Sequence, residues 1–209
     1  MTGRLIAFEG ADGCGKSTQA ALLAARLDGA VLTREPGGTP VGERLRALLI
    51  DSATVHLDPR AEALMMAAAR AQHVAQVIGP ALAEGHDVVV DRFSHSSLAY
   101  QGYGRGLPLD DLAWLSGYAT GGRWPDIVVL LEVPAGLAAG RLGPADRFES
   151  EDGGFHRRVA DGYRALAAAD PARWRVVDGV GPIEEVAARI WAVAAPGADP
   201  PALVHQARP

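Results

Sequence analysis

The sequence predicts an α/β fold of three layers, in which five parallel strands form a sheet with helices on both faces. Apolar strand-like runs alternate with helix-like runs along the 209 residues, as they do in proteins built on a parallel sheet. The runs at 88–90 and 127–131 are apolar at every position, which indicates strands buried on both faces. A glycine-rich turn joins the first strand to the first helix. We therefore expect ligands at the carboxyl ends of the strands.

Periodicity and start and stop signals place the individual elements. Strands are predicted at 4–8, 30–33, 88–90, 127–131 and 175–178, and helices at 16–27, 43–50, 58–77, 110–120, 136–142, 155–169 and 182–195. Asp58 and Asp110 are expected to cap helices, and Gly79-Pro80 to break or kink the third helix. We expect one domain over 1–195, with a polar lid at about 141–153, and a mobile tail over 196–209.

Composition excludes several classes of protein. An apolar fraction of 48% and a charged fraction of 22% are ordinary for soluble proteins, and a net charge of −5 gives no reason to expect binding to nucleic acid or anionic membrane. The single cysteine excludes an intramolecular disulfide, and no Cys/His cluster has zinc spacing. No run approaches the ~20 apolar residues of a membrane span, and the first apolar run is too short for a signal peptide. We therefore expect a cytoplasmic protein.

Positions 10–17 spell G-x-x-x-x-G-K-S, the P-loop motif, between a strand-like and a helix-like run. Its backbone N–H groups and the helix N-terminus suit phosphate oxygens. Lys16, the one lysine beside nineteen arginines, should reach the β- and γ-phosphates of ATP and face solvent in the empty site. Ser17 should ligate Mg²⁺. The predicted ATP-binding residues of the loop are Gly10, Ala11, Asp12, Gly13, Cys14, Gly15, Lys16, Ser17 and Thr18.

The third strand ends in Asp91-Arg92. A carboxylate at this place is expected to hold Mg²⁺ with Ser17, through water, and Arg92 to stabilise charge in the transition state. The alternative for Arg92 is a structural salt bridge.

Five ordered motifs make the chain resemble the thymidylate kinases, a branch of the nucleoside-monophosphate kinases. They are F-E-G-x-D-G-x-G-K-S-T-Q at 8–19, T-R-E-P-G-G-T at 33–39, A-R-A-Q-H at 69–73, D-R-F-x-x-S-S-x-A-Y-Q-G at 91–102 and D-R-F-E at 146–149. The resemblance implies a P-loop kinase fold, a homodimer, and ATP-dependent phosphorylation of dTMP to the diphosphate on the route to dTTP. It implies Mg²⁺ as cofactor and ATP as co-substrate.

The resemblance also assigns residues to dTMP. Phosphate contacts fall to Arg46 and Arg92, base contacts to Arg70, Ser97 and Gln101, and sugar contacts to Asp12 and Tyr100. Met66 stands where relatives usually carry a Phe that stacks on thymine. The residues implied to bind dTMP are thus Asp12, Arg46, Met66, Arg70, Arg92, Ser97, Tyr100 and Gln101. Glu35 could fix its loop or approach Mg²⁺, and the sequence does not decide whether the bond before Pro36 is cis.

The lid should supply a second catalytic arginine, because Gly13 stands where other relatives carry Arg in the P-loop. By resemblance Arg147 contacts the transferring phosphoryl group, Arg141 covers adenine, and the backbone of 178–180 contacts adenine. The predicted catalytic residues are Lys16, Arg92 and Arg147.

Three other functions remain as alternatives. One is a different nucleoside-monophosphate or deoxynucleoside kinase. Another is a GTP-dependent switch, which would want an N-K-x-D motif, whereas this chain contains no Asn and one Lys. The third is a nucleotide-binding protein without activity.

Overall fold

The computed structural model describes residues 2–51, 57–140, 146–195 and 197. The strands are β1 Leu5–Glu9, β2 Val31–Arg34, β3 Val88–Asp91, β4 Ile127–Glu132 and β5 Trp174–Asp178. The helices are α1 Lys16–Arg26, α2 Pro40–Ile50, α3 Pro59–His73, α4 Gly79–Ala83, α5 Ser94–Ser97, α6 Leu109–Thr120, α7 Ala135–Ala139, α8 Gly153–Ala169 and α9 Ile183–Ala194. Two π-helical segments, Val74–Ile78 and Leu98–Gly104, continue α3 and α5.

The five strands form one parallel sheet in the order β2-β3-β1-β4-β5. This confirms the predicted fold. The register sets Asp91 of β3 beside Phe8 of β1 on one side and Arg34 of β2 on the other. The polar carboxyl ends of these three strands therefore meet at one edge of the sheet, as the sequence predicted.

Alternate side chains of the sheet supply two cores. Ile6 and Phe8 pack on one face with residues of α1 and α9. On the other face, Leu5 and Ala7 pack with Ile78 and Leu82 near the end of the α3–α4 helical stretch. That face continues under α8, where Val128, Leu130 and Trp174 of the sheet meet Phe155, Val159 and Tyr163. In the described residues no helix combines the length and apolarity that membrane crossing requires.

The break expected at Gly79-Pro80 and the N-cap expected at Asp110 are both absent, whereas the kink expected at Gly79-Pro80 stays a prediction. The chain stays helical through Gly79-Pro80, and the amide of Gly79 donates to the Val74 carbonyl five residues back. The π-helical segment provides this longer bond, so Pro80 follows without a break. Asp110 lies inside the first turn of α6, whose N-cap is Pro108. Asp58 does cap α3, and its side chain accepts from the amide of Arg60 at 2.9 Å.

Candidate active site

A cavity of about 520 Å³ lies at the carboxyl ends of β1, β2 and β3. It brings together most of the residues predicted to bind ATP, Mg²⁺ and dTMP. Of these, the residues that line it are Asp12, Gly13, Gly15, Lys16, Ser17, Thr18, Arg46, Met66, Arg70, Asp91, Arg92, Ser97, Tyr100 and Gln101. Gly10, Ala11, Cys14 and Arg147 are not part of this lining, and Arg141 lies outside the described residues.

The P-loop turns tightly because three of its glycines adopt positive φ angles. These are 139° at Gly10, 74° at Gly13 and 97° at Gly15, after which α1 begins at Lys16. The expectation that Lys16 faces solvent is wrong. Its side chain folds over the loop and donates to the Ala11 carbonyl at 2.6 Å, leaving the residue 6% exposed. Because the Ala11 carbonyl accepts this hydrogen bond, the Lys16 ammonium lies at the wall of the cavity.

Gly13 has a steric reason to lack a side chain. A Cβ at this position would lie 2.2 Å from the carbonyl oxygen of Ala138 in α7. Helix α7 therefore packs directly on the loop, and an arginine at position 13 would need it to move. A second cationic side chain at this loop would therefore have to come from another segment.

Ser17 and Asp91, the two residues predicted to hold Mg²⁺, are hydrogen-bonded to each other. The Ser17 hydroxyl donates to Asp91 Oδ2 at 2.5 Å, and Asp91 Oδ1 is buried with no hydrogen-bond partner in the described residues. No group of three His, Cys, Asp or Glu residues suited to a metal occurs in the part of the chain that the structure describes. One hydroxyl and one carboxylate are a fitting protein share for Mg²⁺, which usually keeps waters and phosphate oxygens as its other ligands.

Arg92 lines the cavity in a strained backbone conformation. Its φ is 68°, which is rare for a residue with a side chain, and its amide donates to the Phe8 carbonyl at 2.9 Å. The guanidinium donates to Asp12 Oδ1 at 2.5 Å and to the Tyr100 hydroxyl at 3.1 Å. Arg92 thus takes part in a salt bridge and also lines the cavity. The salt bridge to Asp12 is therefore present, and the catalytic role of Arg92 stays a prediction.

Asp12 is held as a carboxylate by its neighbours. Burial alone would raise its pKa, but the charges of Arg92 and Lys16 and the hydrogen bond from Tyr100 outweigh that effect. Together they lower the pKa of Asp12 to about 2.

Sequence reasoning missed Glu9, the buried carboxylate beneath Arg92. It accepts from the amides of Phe93 and Ser96 at 2.9 and 3.2 Å and from the Tyr163 hydroxyl at 2.9 Å. Burial raises the pKa of Glu9, against the charge of Arg92 and the hydrogen bonds. Glu9 therefore anchors the turn that carries Arg92. Its position at the carboxyl end of an apolar strand was the available signal.

Arg70, which also lines the cavity, is fixed by three contacts. It donates to Glu35 Oε2 at 2.7 Å, to Ser97 Oγ at 3.0 Å and to the Phe93 carbonyl at 3.3 Å. The other oxygen of Glu35 bonds His73 at 3.0 Å, and the Glu35–Pro36 peptide is cis. Because both carboxylate oxygens are engaged within the protein, the geometry favours the alternative in which Glu35 fixes its loop.

Arg34 and Arg46 bring positive charge to the same cavity. Arg46 donates to the Pro36 carbonyl at 3.1 Å, whereas Arg34 pairs with Glu43 at 2.9 Å. Burial first, and then repulsion from Arg34, lower the pKa of Arg46. A guanidinium held against a like charge suits a phosphate, which would relieve the repulsion.

Arg147 does not enter the cavity. Its Nε donates to the Leu49 carbonyl at 2.7 Å, one guanidinium nitrogen donates to Glu62 at 2.7 Å, and the group lies 4.4 Å from the centre of the Phe148 ring. The remaining nitrogen is buried without a partner in the described residues. The neighbours Asp146, Phe148 and Glu149 line the cavity instead.

A second cavity of about 250 Å³ adjoins the P-loop. Cys14, Thr18 and Gly179 are among the residues that line it. Gly179 belongs to the segment predicted to contact adenine.

The P-loop opens α1, its Ser17 hydroxyl bonds the Asp91 carboxylate at the end of β3, and arginines lie at the ends of parallel strands. These features define a P-loop phosphotransferase. The family model described as thymidylate kinase matches residues 8–190. The chain belongs to the thymidylate kinase family, whose members transfer a phosphoryl group from ATP to dTMP and release dTDP and ADP.

Individual relatives agree with the family assignment. A thymidylate kinase of Synechococcus sp. (strain JA-3-3Ab) is 52% identical, over 91% of this chain and 95% of the relative. One of Thermomicrobium roseum is 51% identical, over 90% and 92%. The crystal structure of thymidylate kinase from Ehrlichia chaffeensis has a TM-score of 0.76 and 32% identity, covering 92% of this chain and 98% of that one. These findings decide against the GTP-dependent switch.

Proposed function

We propose that the larger cavity holds dTMP together with the reacting end of ATP, and that the phosphoryl group passes between them in line. The observation that supports this is the convergence of phosphate-binding and base-binding candidates on one cavity. Lys16, Arg92 and Arg46 lie at its cationic part, and Arg70, Ser97 and Gln101 contribute polar groups to its wall. The reaction needs positioning and charge stabilisation and no covalent intermediate.

At the phosphate end, Lys16 exchanges its Ala11 contact for the β- and γ-phosphates of ATP. Arg92 and Arg46 bind the phosphate of dTMP. Ser17 and Asp91 hold Mg²⁺, which neutralises phosphate charge when bound. Arg147 is proposed to leave Glu62 and reach the transferring group when the lid, at about 141–153, closes. The P-loop from Gly10 to Thr18 binds ATP, and Arg141 covers adenine.

At the base end, Arg70, Ser97 and Gln101 contact thymine, and Met66 packs on the ring. Tyr100 and Asp12 lie at the sugar. Tyr100 donates to Asp12 at 2.7 Å, so the two groups act as one unit beside Arg92.

The test is turnover by the purified chain with ATP and Mg²⁺. We expect ADP formation to be fastest with dTMP and slower with dUMP, dCMP and thymidine. Faster turnover of thymidine than of dTMP would indicate a nucleoside kinase instead. Nucleotide binding by calorimetry without turnover of any acceptor would indicate an inactive binding protein.

The homodimer and the cytoplasmic location are also proposals. Helix α3 contacts both α2 and α6, and these three helices carry large apolar side chains that are exposed. Trp114 and Tyr118 of α6 stack on each other at 5.7 Å while remaining 70% and 78% exposed. We propose that a second copy covers this face, which sedimentation of the Trp114→Ala variant would test. ATP and dTMP are metabolites of the cytoplasm, which supports that location.

A further inference from the structure

Glu62, in α3, is a buried carboxylate to which neither motifs nor spacing assigned a role. Its side chain is 0% exposed and accepts four hydrogen bonds from three side chains. One oxygen accepts from Gln101 at 2.8 Å and from Arg105 at 3.3 Å. The other accepts from Arg105 at 3.2 Å and from Arg147 at 2.7 Å. Two guanidinium groups thus hold the carboxylate in place beside Gln101.

This contact fixes which end of the Gln101 amide faces the cavity. A carboxylate can only accept, so the amide nitrogen of Gln101 has to point at Glu62. A flipped amide would set two oxygens against each other at about 2.8 Å in a buried site, with neither able to donate. Gln101 is 1% exposed and lines the cavity, so its carbonyl oxygen is the end of the amide available to a ligand.

The resulting polarity matches one class of base. Arg70, which shares the cavity wall with Gln101, presents donors, and Gln101 presents an acceptor. Ser97 joins them, because it accepts from Arg70 and lies one helical turn before Gln101. A donor beside an acceptor complements the O4 and N3–H edge of thymine. Cytosine carries the reverse pattern, with an amino group and an unprotonated ring nitrogen.

We propose that Glu62 is a positioning residue that orients the Gln101 amide and thereby selects thymine over cytosine. The inference rests on the proposed role of Arg70 and Gln101 in binding the base. Glu62 itself acts through Gln101, since it is not among the residues that line the cavity.

The first test is Glu62→Gln, assayed with dTMP and dCMP. A glutamine at 62 can donate as well as accept, so the Gln101 amide becomes free to turn. We expect the ratio of kcat/KM for dTMP over dCMP to fall about tenfold or more, with a higher KM for dTMP and an unchanged KM for ATP.

The matched control is Glu151→Gln. Glu151 also pairs with Arg105, at 2.5 Å, yet no described contact joins it to Gln101. This variant should loosen Arg105 while the preference for dTMP stays within about twofold of wild type. An equal loss of preference in both variants would overturn the proposal, because it would reflect loosening of the whole cluster.

The sharper test is the exchange of the two side chains in Glu62→Gln/Gln101→Glu. The amide at 62 would then donate to the carboxylate at 101, whose other oxygen still presents an acceptor to the base. We expect this double variant to recover preference for dTMP over dCMP relative to Glu62→Gln alone. A structural role for Glu62 would predict further loss instead.

The outcomes separate this inference from the function on which it rests. If the wild type shows no preference for dTMP over dCMP, the proposed base site fails. If the wild type prefers dTMP and Glu62→Gln keeps that preference while folding normally by circular dichroism, the role of Glu62 alone is refuted. If Glu62→Gln fails to fold, the double variant is compared with Gln101→Glu alone. The proposal requires the double variant, in which the two side chains are exchanged, to retain the preference for dTMP.

Discussion

The phosphate end of the cavity and the lid segment at 146–149 differ in how their arginines are held. Arg92 already lines the cavity, fixed by its strained backbone, by Asp12 and by the Glu9 turn beneath it. Arg147 is equally well bonded, but its partners are Glu62 and the Leu49 carbonyl outside that lining.

The two arginines differ in whether their charge is already in place before the reaction begins. Charges fixed in place before the reaction stabilise a transition state without reorganisation, and the phosphate end is built in that way. Arg147 has to give up a buried ion pair before it can contribute. In the proposed mechanism Arg147 therefore reaches the substrates only after its ion pair with Glu62 opens, whereas Arg92 already lines the cavity.

The largest effect should come from Lys16→Ala, which removes a charge from the fixed end. We expect turnover to fall about 10³-fold or more, because the ammonium is proposed to hold the β- and γ-phosphates. The melting temperature should change little, since the variant loses one bond to the Ala11 carbonyl and one long contact, at 3.7 Å, to the Cys14 sulfur. Steady-state kinetics measures the turnover, and thermal unfolding measures the melting temperature.

Lys16→Arg is the control for that experiment. It keeps the positive charge but replaces a compact ammonium with a planar guanidinium, so we expect turnover nearer to that of Lys16→Ala than to wild type. Turnover of Lys16→Ala within tenfold of wild type would contradict the assignment.

Arg147→Ala tests the lid side of the comparison. We expect kcat to fall about 10²-fold or more with the KM for dTMP nearly unchanged, because a contact made only in the transition state affects turnover. Arg141→Ala, as the companion variant, should act mainly on the KM for ATP.

Two other results would change this assignment. If the two arginine variants show the opposite pattern, the roles of Arg141 and Arg147 should be exchanged. If Arg147→Ala lowers the melting temperature and leaves kcat intact, Arg147 is a structural partner of Glu62. Arg92 would then neutralise the transferring group without help from the lid.

The same comparison shows what the sequence could predict. The P-loop and the Asp91-Arg92 pair were found because each lies in a continuous motif at the end of an apolar strand. Glu62 meets Arg147 across 85 positions of the chain, and Glu9 meets Tyr163 across 154. No local pattern marks such partners.

The remaining errors have physical causes as well. A 3.6-residue period does not predict π-helical segments, and the helical continuity through Gly79-Pro80 depends on one of them. The Lys16 side chain was predicted to face solvent, but it turns back over its own loop because the Ala11 carbonyl accepts a hydrogen bond from its ammonium.

His95 is a buried histidine that follows Arg92 in the chain but does not line the cavity, so we expect it to affect stability. It lies three positions after Arg92, is 6% exposed and packs against Trp124 and Trp174. Burial first, and then the charges of Arg173 and Arg70, lower the pKa of His95 to about 3. The unfolded chain therefore binds a proton on His95 that the folded chain does not, at any pH between about 3 and 6.5.

His95 should thus contribute stability that is complete above about pH 6.5 and falls by about 1.4 kcal/mol per pH unit below it. In urea unfolding between pH 4.5 and 7, we expect the free energy of unfolding of His95→Gln to depend less steeply on pH than that of wild type. His86→Gln is the control, because that side chain is 45% exposed. Identical slopes in wild type and His95→Gln would show that His95 is not the group responsible.

The smallest effect is expected at Met66, where the base end lacks the aromatic side chain usual in similar kinases. Met66 lines the cavity and packs, partly buried, on the cluster that contains Tyr100 and Phe148. A flat ring at this position should stack on thymine better than a flexible thioether does. Met66→Phe is therefore expected to tighten dTMP binding by about 0.5–1.5 kcal/mol without changing the affinity for ATP. Calorimetry with both nucleotides measures these changes in affinity.

Equal changes for dTMP and ATP in Met66→Phe would contradict this prediction, and so would weaker binding of dTMP. Either result would place Met66 in the helix packing and remove it from the base site.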